Sequence, residues 1–181
     1  MAVFKIVEWN KEINGLDKYD SELISKLIHY ILRADKNVRY WGVNHLLLSN
    51  VETMIDQFYI VQEVYHKYNI IQARHFVLSF HDEYDAITPN QANRIGELIC
   101  QDLFPEYQTI YAVHEKGSKK YGDYNVHVHF VINTVNINTG KQYPHSKIVF
   151  QELLYHVAQL LRMPYLWGGS RSIKLLSGMS Y

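Results

Sequence analysis

His127 and His129 stand two residues apart in the run Asn-Val-His-Val-His-Phe-Val-Ile-Asn, residues 125–133. The run reads as a β-strand, in which successive side chains point to opposite faces. His127 and His129 therefore share a face with Val131 and Asn133, while Val126, Val128, Phe130 and Ile132 form an apolar face for the core. His114 closes the preceding strand-like run, Tyr107 to Glu115. A hairpin brings the end of that run beside the start of the next, and directly opposed residues then have Cβ atoms about 4.5–5.5 Å apart. His114 can thus face the other two imidazoles. Three neutral imidazoles hold a divalent cation and leave coordination positions open for water or a phosphate oxygen. Such donors suit Mn²⁺, Zn²⁺, Ni²⁺ or Co²⁺ better than Mg²⁺, which serves when substrate oxygens complete its shell. Glu115 and Asp123, close by in sequence, are candidates to orient a ligand ring. Asn133 is a candidate to orient a ligand or a backbone group.

A cation with open positions either activates water, giving a hydrolase, or polarises a phosphate for attack by a side chain. With 15 tyrosines in the chain, a phenol is the candidate nucleophile. Its pKa of roughly 10 makes it weak until it loses its proton, and a cation on the phosphate offsets the charge that develops. The ester so formed keeps the bond energy and allows rejoining. Tyr30, in Leu-Ile-His-Tyr-Ile-Leu-Arg, lies off the main apolar stripe of its segment. Tyr19 and Tyr40 compete with it on sequence alone. His29 is placed to hold Tyr30, accept its proton or replace it as nucleophile.

These side chains need a scaffold. Ala2 to Trp9 alternates and predicts a strand, followed by a turn at Asn14-Gly15. Leu23, Ile24, Leu27, Ile28, Ile31 and Leu32 recur at helical spacing, which predicts a helix over 21–32. Residues 33–50 read as irregular with a short strand near Tyr40. A second helix is predicted over 51–68, then a central strand over 72–80 and an acidic loop at 81–85. Thr88 as N-cap and Pro89 at the first position start a third helix that runs to about Leu103. Strands over 107–115 and 125–135, a turn at Asn138-Thr139-Gly140, a fourth helix over 147–161 and a short segment over 173–176 complete the order. This mixture predicts one α+β domain over residues 1–181, with the histidine hairpin in the centre of its sheet. His75, in the central strand, reads as a satisfied core or groove residue.

The formal net charge is zero, which argues against a generic nucleic-acid binder. The distribution is uneven, because residues 116–181 carry eight Lys/Arg against two Asp/Glu. That basic stretch contains the histidine strand and suits an anionic substrate. Lys119, Lys120, Lys141 and Lys147 are candidate contacts for its phosphate groups. His145 lies in the same basic surroundings. The lone Cys100 cannot form an internal disulfide, and no apolar run approaches the roughly 18 residues of a membrane span. The N-terminus lacks the pattern of a signal peptide. A cytoplasmic protein without membrane insertion is expected.

Together these residues resemble relaxases, the mobilisation nucleases of the HUH endonuclease superfamily, in the form found on conjugative elements and especially those of Gram-positive bacteria. Four passages carry the resemblance: residues 27–32 around Tyr30, residues 73–80, residues 88–98, and Ala-Val-His-Glu at 112–115 followed by His-Val-His-Phe-Val-Ile-Asn at 127–133. The resemblance implies a central antiparallel β-sheet with helices packed on it. It implies site- and strand-specific nicking of single-stranded DNA at an origin of transfer. In that reading His114, His127 and His129 bind the metal, Mn²⁺ or Mg²⁺ with Zn²⁺, Ni²⁺ or Co²⁺ as alternatives. Tyr30 attacks and stays linked to the 5′ end of the cut strand. Accessory proteins of the relaxosome and a secretion coupling protein are the implied partners. The chain would be either the catalytic part of a longer protein or a small nuclease by itself. It departs from the family pattern at 117–122, which reads as an insertion and leaves the supporting carboxylate open between Glu115 and Asp123. A replication-initiator or transposase nuclease shares the chemistry, and a non-catalytic DNA-binding accessory protein is the reading of another class.

Overall fold

The computed structural model describes residues 2–7, 21–33, 38, 40–80, 87–115, 126–144 and 146–162, together with the backbone of 167–168 and 173–174. In chain order the elements are β1 (Val3–Val7), α1 (Leu23–Leu32), β2 (Tyr40–Asn44), α2 (Val51–Val64), β3 (Ala73–Phe80), α3 (Pro89–Leu103), β4 (Tyr107–Glu115), β5 (Val126–Asn136), α4 (Lys147–Leu160), β6 (Trp167–Gly168) and β7 (Ile173–Lys174). The strands form one sheet in the order β2-β4-β5-β3-β1-β6-β7. The five longer strands pair antiparallel throughout, and the short β6 joins β1 in parallel. This is the α+β architecture expected, with β5 hydrogen-bonded on both sides.

Both faces of the sheet are covered. On one, Phe4, Phe76, Leu78, Val113, Val128, Phe130 and Ile132 pack against α3 and α4. Phe4 and Phe76 stack there with ring centroids 5.6 Å apart. Tyr111 lies in the same layer, and its ring occupies the space that a Cβ would need at Gly42 and at Gly96, where the nearest ring atoms would be 2.6 and 2.7 Å away. Glycine at both positions lets β2 and α3 close on that ring. On the other face, Ala73, Ile110, Ala112 and Val131 pack against Leu23, Ile24, Leu27, Ile28 and Ile31 of α1 and Met54, Ile55 and Phe58 of α2. The alternation of β5 therefore places its histidines under α1. They are covered there, because the sheet is clad on both sides.

Local chemistry sets the helix starts. Thr88 and Gln91 form a reciprocal capping box with Pro89 in the first turn of α3. Asn50 accepts from Thr53 N at the start of α2, and Ser146 accepts from Val149 N at the start of α4. Helix α2 stops at Val64, short of the predicted Tyr68, and His66 beyond it adopts a left-handed conformation with φ 54°. The irregular stretch before α2 contains a full edge strand, β2, created by pairing with β4 from Tyr40↔Val113 to Asn44↔Thr109. The turn at Asn14-Gly15 and the acidic loop at 81–85 lie outside the described residues.

Candidate metal centre

The hairpin register builds the cluster. His114 on β4 lies directly opposite His127 on β5, and His129 lies opposite Ala112. The three ring centroids are 5.3 Å (His114–His127), 4.4 Å (His114–His129) and 4.9 Å (His127–His129) apart. One ring nitrogen from each can be chosen so that all three lie within 4.8 Å of one another. His114 and His129 are only 2% and 5% exposed, and His127 is half-buried.

Neighbouring groups determine which nitrogens face inward. Nε2 of His114 lies 2.7 Å from the carbonyl oxygen of Ile31. A carbonyl only accepts, so Nε2 carries the proton and Nδ1 holds the lone pair. Nδ1 of His129 lies 2.8 Å from Nε2 of His75, which leaves Nε2 of His129 to face the cluster. Nδ1 of His127 is buried and receives no hydrogen bond, although its ring packs on the other two imidazoles. Burial, then His75, His127, His114 and Lys5, hold His129 well below the usual imidazole range. A neutral, lone-pair-bearing imidazole is the form a metal requires. The donor set thus fits a divalent transition ion.

Helix α1 roofs this cluster and carries Tyr30. Its ring stands edge-on to His129 and to His75, with centroids 5.8 and 6.0 Å away. Arg33, at the end of the same helix, places its guanidinium carbon 5.2 Å from the centre of the Tyr30 ring. The competing Tyr40 packs in the layer on the opposite face of the sheet, and Tyr19 lies outside the described residues. His29 turns to the surface, where Nε2 is 3.1 Å from Oε1 of Glu52.

Other candidates lie apart from the cluster. Glu115 follows His114 on β4, so the strand alternation directs it to the opposite face. Asn133 is fully buried and engaged elsewhere. Its Nδ2 donates to Phe58 O and Gln108 Oε1 at 3.1 and 2.8 Å, and its Oδ1 accepts from Gln62 Nε2 and Val135 N at 3.0 and 3.2 Å. Lys141 is exposed beyond the far end of β5, and Lys147 opens α4, which packs on the other face. Asp123, Lys119, Lys120 and His145 lie outside the described residues.

Two site residues escaped the sequence reading. His75, taken as a core or groove residue, touches both His129 and Tyr30. Burial first, then the charges of His114 and Lys5, push its pKa down to about 3. Lys5 of β1 pairs with Val77, which pairs with His129. The three residues form one row on the α1 face, so Lys5 brings a positive charge toward the imidazoles.

A histidine triad that could hold a metal ion, on the central hairpin of an antiparallel sheet roofed by a helix with a tyrosine against it, is the arrangement of a nuclease domain of the HUH kind. Residues 30–162 match the family model described as Relaxase: MobA/VirD2-like, nuclease domain. The chain belongs to that family, and the match spans both the tyrosine helix and the histidine hairpin. No curated protein and no solved structure matches it.

Proposed function

We propose that this relaxase domain nicks one strand of DNA at an origin of transfer through a 5′-phosphotyrosyl intermediate, as the first step of conjugative mobilisation. The observation that carries the reading is the packing of the Tyr30 ring edge-on against His129 at 5.8 Å. It puts the phenol's ring against one of the three imidazoles that would hold a cation. A divalent ion bound by His114, His127 and His129 would supply positive charge to the non-bridging oxygens of the scissile phosphate. The Oη of Tyr30 loses its proton and bonds to phosphorus, the bond from phosphorus to O3′ breaks, and the departing 3′ oxygen takes up a proton. The phosphate stays esterified to Tyr30 at the 5′ end, and the reverse attack by a 3′ hydroxyl rejoins the strand. Arg33 and Lys5 flank the reacting groups with positive charge, which favours the phosphate and the phenolate alike.

Among the described residues no helix is long and apolar enough to cross a membrane. A cytoplasmic location, with accessory relaxosome and secretion coupling proteins as partners, accords with this reading.

The test offers a labelled single-stranded oligonucleotide from an origin region with Mn²⁺ or Mg²⁺. The natural protein should form a covalent adduct that resists denaturation, and Tyr30→Phe should form none. An adduct with the Phe variant would assign the nucleophile elsewhere. Cleavage by the natural protein without any adduct would favour a metal-activated water.

A further inference from the structure

We infer that His75 is a positioning residue: its Nε2 accepts a hydrogen bond from Nδ1–H of His129 and so holds His129 ready to bind metal through Nε2. This rests on the metal-binding reading of the triad.

The argument starts from the sheet. In β3, Val77 lies opposite His129 and His75 lies opposite Val131. His75 and His129 are therefore diagonal neighbours on one face, a distance that long side chains bridge. Their nitrogens meet at 2.8 Å with both rings buried. Two neutral imidazoles can share that contact only if one donates and the other accepts. Coordination through Nε2 of His129 requires the proton on Nδ1, which makes His75 the acceptor. A ligand ring whose second nitrogen is so held keeps its tautomer and its orientation, and removal of such a partner typically weakens metal binding.

The choice of an imidazole for this role has an electrostatic consequence. A carboxylate there would donate negative charge toward a site that must receive a phosphate. A neutral histidine fixes the ligand equally well and leaves the cation's charge undiminished. The same ring also forms one wall for Tyr30, with centroids 6.0 Å apart. His75 thus links the ligand geometry to the position of the phenol.

Two measurements on the full chain test this. The first is a Co²⁺ titration followed by d–d absorption, with competition against a chelating indicator. The natural protein should bind one equivalent. His75→Leu should weaken binding about ten- to a hundredfold and alter the Co²⁺ spectrum. His75→Gln, whose side-chain oxygen can accept from Nδ1–H, should restore most of the affinity. The second is a long-range ¹H–¹⁵N spectrum of the histidine rings in the natural protein, which reads the tautomer without any variant. The proton of His129 should reside on Nδ1. Full affinity and an unchanged spectrum in a folded His75→Leu protein would overturn the inference, as would finding the His129 proton on Nε2. Failure of the natural protein to bind Co²⁺ with the Nδ1–H tautomer present would overturn the metal reading while leaving the hydrogen bond intact.

Discussion

The carbonyl oxygen of Ile31 accepts a hydrogen bond from Nε2 of His114 at 2.7 Å. That contact joins the residue after Tyr30 to an imidazole of the histidine cluster. It means that the helix carrying the proposed nucleophile and the strand carrying a proposed ligand are positioned by one another. A displaced α1 would lose the phenol's position and the tautomer of His114 together.

Replacing His127 and His129 together by Ala should abolish metal-dependent cleavage, and excess chelator should do the same to the natural protein. Most of the DNA affinity should survive both treatments, because phosphate contacts by cationic side chains supply it. Gel-shift and cleavage assays on the same preparations separate the two effects. Cleavage that persists in the double variant would remove the triad from the chemistry.

Lys5 shares a sheet row with Val77 and His129. Its replacement by Ala should weaken single-stranded DNA binding at low salt. It should also reduce the slope of log affinity against log salt by about 0.7, the expectation for one phosphate contact on a single strand. Fluorescence anisotropy at four or five salt concentrations measures that slope. An unchanged slope would show that the lysine acts only on the imidazoles.

Acid should destabilise the metal-free protein. His75 is held at about 3 against an ordinary value of 6.5, mainly by burial, and His129 is lowered in the same direction. Between those values the unfolded chain binds protons that the folded chain does not. Stability is therefore fully present above pH 6.5 and is lost as the pH falls toward 3, by up to about 1.4 kcal/mol per pH unit for each proton taken up on unfolding. Urea unfolding at several pH values gives the slope. Flat stability from pH 7 to 5 would contradict burial of these rings in the neutral form.

Asn133 ties α2 to the sheet through Phe58, Gln62 and Gln108. Asn133→Ala would leave several of these buried groups without a hydrogen bond, at about 1–3 kcal/mol each before relaxation. A net loss of about 3 kcal/mol should lower the melting temperature by roughly 10 °C for a chain of this size. Co²⁺ affinity measured well below that temperature should change little, since none of these contacts reaches the triad. A large loss of affinity with unchanged melting would return Asn133 to the site.

The cluster was legible because its parts are local. His127 and His129 obey the period of one strand, and His114 is joined to them by a hairpin. The packing of Tyr30 on the cluster accords with its place off an apolar stripe of helical period, and the sheet's sidedness separates it from Tyr40. His75 was not legible. Its neighbour is His129, reached by pairing β3 with β5 across an intervening helix and strand, and no spacing encodes such a pairing. Lys5 is hidden for the same reason, two strands away. The edge strand β2 was faint because it is only five residues long with Gly42 at its centre, and pairing with β4 completes it. The cover that α1 and α2 lay over the histidine face was not legible, because a strand's alternation does not say what packs on either side.

β5 is hydrogen-bonded along both edges, to β3 and to β4. Its amides should therefore be among the slowest in the molecule to exchange with heavy water. The three histidines would then sit in the last part of the fold to open, while α1, an outer layer of ten residues, should exchange sooner. Substrate entry would be timed by the roof, with the floor left undisturbed.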